Sequence, residues 1–169
     1  MNDAPTLLLD TNVWIDLYDG NRANHVDAQT LLERALMCGA PVTFAISSLK
    51  DVYYALSAMM KRCIRSERGH VTEAESKAAE ESAWACIKNM QELATPVGVD
   101  LSDVWLAGSY RTLHRDFEDN LIAAAATRCQ ADVLVTNDGR FLRHCPVRAM
   151  DSADALSYLK LCTPGADVS

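Results

Sequence analysis

The chain has 169 residues, 49% of them hydrophobic and 23% charged, with a net charge of −7, so it is long enough for one domain with a proper core and too apolar for a disordered chain. The acidic balance argues against a protein that coats nucleic acid nonspecifically, and leaves room for an enzyme whose acidic pocket holds cations. No apolar run reaches membrane-spanning length and the start MNDAPT lacks the pattern of a signal peptide, so the expectation is a cytoplasmic protein with no membrane contact.

TLLLD (6–10) reads as a short strand apolar on both faces and closed by an acid, with the helix TNVWIDLY behind it. HVDAQTLLERALMCG (25–39) reads as a helix ended by Gly39, and VTFAIS (42–47) as a second strand of the two-sided kind found in parallel sheets. Together these form a β-α-β unit. Ser47 is the expected cap of a helix in which Leu49, Val52, Leu56, Met59 and Cys63 share a face. TEAESKAAEESAWACIKNMQELATP opens with a capping box at Thr72 and Glu75 and stops before Pro96, with Ala83, Ile87, Met90 and Ala94 on one side.

A shorter helix is expected at Ser102–Leu113, then one at Asp116–Gln130, the strand ADVLVT (131–136), a turn at NDG, a short strand VRAM and a last helix from Ser152 to Leu161. Residues 1–162 would form a single domain and 163–169 a loose tail, since no repeat or linker divides the chain. The predicted class is α/β, a three-layer sandwich with a central, mostly parallel sheet flanked by helices. Six cysteines occur without a CxxC pair, and His25, His70, His114 and His144 without HxH or HxxxH spacing. Neither a disulfide framework nor a zinc site is favoured, and the histidines are expected at the surface or at caps.

In such a sheet, strand C-termini and the first turns of helices share one edge. Asp10 closes the first strand, Asp51 lies in the first turn after the second, Asp116 and Asp119 begin the alanine-rich helix DFEDNLIAAAA, and Asp138 follows the strand 131–136. Five carboxylates from distant parts of the chain should therefore meet. Asp119 continues a face through Ile122, Ala123 and Ala126, which aims it inward. Asp116 fits an N-cap and a ligand equally well, and Asp138 sits in N-D-G, which is also a strong turn signal. Gathered carboxylates raise one another's pKa unless a counter-charge intervenes, and an oxygen-only set suits Mg²⁺ or Mn²⁺.

With those residues in view, the chain resembles the PIN (PilT N-terminus) domain ribonucleases, which include VapC-type toxins of toxin–antitoxin pairs. The resemblance rests on LLLDTNVWID, SSLKDVYYAL, DFEDNLIAAAA and DVLVTNDGRF in that order. It implies a catalytic set of Asp10, Asp51, Asp119 and Asp138, with Asp10, Asp119, Asp138 and Asp116 around the metal and Asn12 and Thr136 as polar support. It also implies Mg²⁺- or Mn²⁺-dependent cleavage of RNA, an antitoxin partner and a homodimer. Two departures stand out. The second acid is usually Glu, and Asp51 is one methylene shorter, so it reaches a metal only through water unless the backbone moves closer. The long acidic helix Glu73–Leu93 exceeds what a minimal toxin needs and would serve as an oligomer surface or an antitoxin-docking element.

The basic stretch KRCIRSERGH (61–70) reads as a solvated helix end before it reads as an RNA contact. Arg111, Arg115, Arg140 and Arg143 lie close to the acids in sequence and are candidate contacts to a substrate backbone. Two other functions compete. A haloacid-dehalogenase-like phosphatase also begins with an apolar strand and Asp, but Asp10-Thr11-Asn12 lacks its second acid. A non-catalytic RNA- or protein-binding module on the same fold would not need the intact set Asp10, Asp119 and Asp138.

Overall fold

Three leucines in a row can form a strand only where both of its faces are covered, because successive side chains point to opposite sides. In the computed structural model, which describes residues 4–164, that is the position of β1 (Leu7–Leu9) at the centre of a sheet ordered β3-β2-β1-β4-β5, all parallel. Its partners are β2 (Val42–Ala45) and β4 (Val133–Val135), with β3 (Thr95–Val97) and β5 (Ala149–Met150) at the edges.

Leu7 and Leu9 enter one core with Val42, Phe44, Val133 and Val135, while Leu8 and Leu134 enter a second with Ile122, Ala123 and Phe141. The first core is closed by α1 (Thr11–Tyr18), α2 (His25–Met37), α3 (Ser48–Arg68), α4 (Glu73–Leu93) and α8 (Ser152–Cys162). The second lies under α6 (Phe117–Arg128) and α7 (Gly139–His144). This is the expected three-layer sandwich. The alanines of α6 make it work, since Ala123 to Ala126 are all buried and let the helix lie close against the sheet.

α5 (Leu101–Tyr110) packs on α6 through Asp103 and Ala107. Asp103 is buried and is answered by Arg128 of α6, whose Nη2 lies 2.7 Å from Asp103 and 2.5 Å from Asp100. The chain winds from β1 outward to β3, then returns to the other side of β1 for β4 and β5. The strand order therefore reverses between β1 and β4, the place at which open α/β sheets form a crevice at the carboxyl ends of their strands.

Several local expectations change. β3 was not anticipated, because Pro96 inside a three-residue strand reads as a break. Ser47 stands at the N-cap of α3 with helical φ/ψ and makes no cap bond, while Ser48 accepts from Thr11 Oγ1 at 2.9 Å. The NDG turn opens into the short helix α7. Of the expected loose tail, 165–169 lie outside the described residues, and Thr163 is held, its carbonyl accepting from Arg34 Nη2 at 2.6 Å. No described helix is long and apolar enough to cross a membrane.

Candidate active site at the carboxyl end of the sheet

Asp10 follows the last residue of β1 and caps α1, its Oδ1 accepting from Thr11 N at 2.6 Å. Its Oδ2 accepts from Asn12 Nδ2 at 2.6 Å and Thr136 Oγ1 at 2.7 Å. Asn12 also donates to Thr136 Oγ1 at 2.9 Å and accepts from Asn137 N, again at 2.9 Å. The ends of β1 and β4 are thus tied by side chains as well as by the sheet. Asp10 is only 2% exposed. Burial lifts its carboxyl to about 7 against the Thr136 hydrogen bond, and the nearby charge of Asp119 pushes the same way. Among the described residues no lysine or arginine pairs with it.

Asp119 reaches the same crevice from the first turn of α6. Its carboxyl is raised by burial and by the charges of Asp116 and Asp138, against a hydrogen bond from His114. His114 Nε2 lies 2.6 Å from Asp119 Oδ2, and its ring rests 5.1 Å from that of Phe141. This corrects the expectation that His114 is a surface or cap residue: it is buried, and Asn120 Nδ2 holds its carbonyl at 2.8 Å. A histidine five residues before an acid shares no helical face with it. Only the reversal between α5 and α6 brings the two together, so spacing gave no signal.

Asp116 and Asp138 are helix caps placed beside the acids. Asp116 Oδ1 accepts from Glu118 N and Asp119 N at 3.0 and 3.3 Å, and Asp138 Oδ1 from Arg140 N and Phe141 N at 2.7 and 3.1 Å. Each leaves its second oxygen without a protein partner among the described residues. Asp51, in the first turn of α3, lies 3.4 Å from Lys50 Nζ and reaches this group through Glu118. Glu118 escaped notice in the sequence as an ordinary first-turn acid. Its carboxyl is raised by partial burial, then by the charge of Asp51 and a hydrogen bond with it.

Behind the acids lies a second buried carboxylate that sequence spacing did not single out. Asp16, on α1, pairs with Arg22 and accepts from Asn137 Nδ2 at 2.7 Å, while Asn137 Oδ1 accepts from Ser152 N at 3.0 Å. Asn137 thereby ties the loop carrying Asp138 to α1 and α8. The four candidate arginines are all exposed. Arg111 and Arg115 line a depression of about 820 Å³ with Gly108 and Thr112, while Arg140 and Arg143 lie on α7.

The donors around the crevice are Asp10, Asp116, Asp119 and Asp138 with the hydroxyl of Thr136, an oxygen set that suits a hard cation. Among the described residues no three His, Cys, Asp or Glu side chains are already drawn together closely enough to enclose an ion. The fit therefore rests on donor chemistry and on the buried Asp10 carboxyl, beside which no protein cation lies among the described residues. His114→Ala should lower stability by about 2–4 kcal/mol, since it opens a cavity beside Phe141 and strips Asp119 of its donor. A urea midpoint unchanged from wild type would show that the contact carries no weight.

No curated protein matches the sequence. Among solved structures, a chain of VapBC2 from Rickettsia felis, bound to a DNA fragment from their promoter, superposes with a TM-score of 0.61 at 17% identity, covering 86% of this chain and 98% of that one. VapC20 from Mycobacterium tuberculosis, described as a sarcin-ricin loop cleaving toxin, superposes with a TM-score of 0.53 at 17% identity, covering 80% of this chain and 92% of that one. At such identities these likenesses speak for the fold. The sequence match is independent of them: the PIN domain model aligns with residues 7–145, from the first residue of β1 past the end of α7, and the chain belongs to the PIN domain family.

Proposed function

We propose that the protein is a Mg²⁺- or Mn²⁺-dependent endoribonuclease acting in the cytoplasm as the toxin of a toxin–antitoxin pair. The observation that carries this reading is the buried Asp10 at the strand-order reversal, with its carboxyl lifted to about 7 and no protein cation beside it. A structural cap would not need such a costly position, whereas a cation ligand would. Asp10, Asp119 and Asp138 would hold the ion, with Asp116 contributing the oxygen its cap leaves free. A bound divalent ion supplies polarisation of the phosphate and acidification of a water.

The chain's own residues do the orienting. Asn12 and Thr136 fix the rotation of the Asp10 carboxyl, and His114 that of Asp119. Asp51 acts one step removed, through Glu118. RNA as substrate and an antitoxin as partner follow the likeness to VapC20 and VapBC2. A homodimer would use the outer side of the α3–α4 pair, where Tyr54 and Trp84 are well exposed and Tyr53 contacts both rings.

The phosphatase reading loses a further support, because Asn12 donates to Asp10 and has no acidic proton to deliver to a leaving group. The purified protein should cut a mixed RNA pool with Mg²⁺ or Mn²⁺, be silenced by EDTA, and leave 5′-phosphate ends. Cyclic phosphate products or undiminished cleavage in EDTA would refute the mechanism. Hydrolysis of p-nitrophenyl phosphate with no RNA cleavage would favour the phosphatase, and neither activity would leave a binding module.

A further inference from the structure

α5 buries Asp103 and Ala107 against α6 and turns its opposite side outward. Along that outer side, at helical spacing, run Leu101, Trp105 and Gly108, and Thr112 lies in the turn just past the helix end. Trp105 is 72% exposed and, with Leu101 at 64% one turn before it, makes an apolar patch on this side of the helix. Gly108 follows one turn later on the wall of the depression of about 820 Å³ that Arg111, Thr112 and Arg115 complete. The residue after Arg115 is Asp116, one of the clustered acids.

Two features of this strip are not explained by the fold. Gly108 has no positive φ, and a Cβ built on it would meet nothing within 4 Å. Neither backbone conformation nor packing requires glycine there, and alanine would serve the helix better. Arg111 and Arg115, like Arg62, Arg65, Arg140 and Arg143, have no hydrogen-bond or ion-pair partner for their guanidinium groups among the described residues, and they are the pair that lines the depression. Unpaired arginines, a bare stretch of helix backbone and an exposed indole leave room for a flat, anionic occupant.

We propose that the outer side of α5 is a docking track for single-stranded RNA leading to the acid cluster. Trp105 stacks on an unpaired base, Gly108 lets the strand approach the helix, and Arg111 and Arg115 bind the phosphates next to the crevice. The charge arrangement favours this: with no metal bound, the acids around the crevice repel a polyanion, and Arg111 and Arg115 bring positive charge to the segment that leads into Asp116. A single strand fits better than a duplex, because the indole needs an exposed base face. The inference rests on the nuclease reading for the direction of the strand toward the acids, but not for binding itself.

The test is fluorescence anisotropy of a labelled single-stranded RNA of mixed sequence on the full chain in EDTA, where the proposed cleavage is off. Trp105→Ala should weaken binding about tenfold or more, with Trp105→Phe recovering most of it. Arg111→Ala and Arg115→Ala should each reduce the slope of log affinity against log salt by about 0.7. Gly108→Ala should weaken binding while its melting temperature stays level or rises, an outcome no structural role would give. The track is overturned if wild type fails to bind, if a duplex of equal length binds as well, or if Trp105→Ala and Gly108→Ala bind like wild type. Cleavage assays separate the two readings: unaltered KM in these variants removes the track and keeps the nuclease, whereas lost binding by the variants of a protein that never cuts RNA keeps the track and removes the nuclease.

Discussion

Asp119→Asn should reduce RNA cleavage by at least about 10²- to 10³-fold, on the scale seen when one preorganised electrostatic group is removed from a site, while leaving the fold intact. The substitution keeps the size of the side chain, and its amide oxygen can still accept from His114 Nε2, 2.6 Å away in wild type. What disappears is the charge that Asp116 and Asp138 repel. The metal-free variant should therefore melt higher than wild type, and its further stabilisation by Mn²⁺ should be smaller. Thermal unfolding of both proteins in EDTA and across a Mn²⁺ series reads these opposite effects together. A variant less stable than wild type in EDTA that shifts just as far with Mn²⁺ would reduce Asp119 to helix punctuation.

The second large effect is on stability against pH and centres on Asp10. Its carboxyl is raised from 3.8 to about 7 by burial, so between those values the unfolded chain is ionised at this group while the folded chain holds its proton. The stability linked to Asp10 is therefore full below about pH 4 and lost progressively as pH rises to about 7, a change on the order of 4 kcal/mol. Asp119 and Glu118, also raised, act with the same sign. Glu75, Glu80 and Asp100 are lowered by their hydrogen bonds, and their contribution is lost as pH falls, mostly below this window. The difference in urea midpoint between wild type and Asp10→Asn, measured in EDTA from pH 5 to pH 8, isolates the group. Wild type should lose ground to the variant as pH rises. Binding of Mn²⁺ only to the folded wild type should return about 2.7 kcal/mol at a hundred times its Kd. A midpoint difference that is flat with pH would mean that Asp10 is already ionised, and its burial compensated, in the metal-free protein.

The parallel sheet and its acidic edge were legible because both rest on local pattern. LLL, VTFA and VLV are apolar on both faces, as only central parallel strands are, and an acid after each strand or in a first helical turn falls at one edge by topology alone. The partners of those acids were not legible, because they depend on tertiary reversals. His114 meets Asp119 only through the turn between α5 and α6, and Glu118 meets Asp51 across 67 positions of sequence. Asn137 sat in a motif that spelled a turn, and its amide instead bridges Asp16 and α8. Helix ends moved by one to three residues where fraying and short caps decide the boundary, as at Leu113, expected in α5 but lying beyond its end at Tyr110.

One proline sets how this molecule can associate. Ile46 N donates to the carbonyl of Val97 at 2.9 Å, so Val97 faces β2 and Pro96, its neighbour in β3, faces away from the sheet. β3 is an edge strand of three residues, and its single outward-facing residue has no N–H to offer. An approaching chain therefore finds no donor there on which to continue the ladder, and the opposite edge, β5, is only two residues long. Growth by strand addition, the usual route from an open sheet to fibrils, is disfavoured at both edges, by the missing donor on β3 and by the shortness of β5. Copies of this chain brought to high concentration should therefore meet through faces other than the sheet edge.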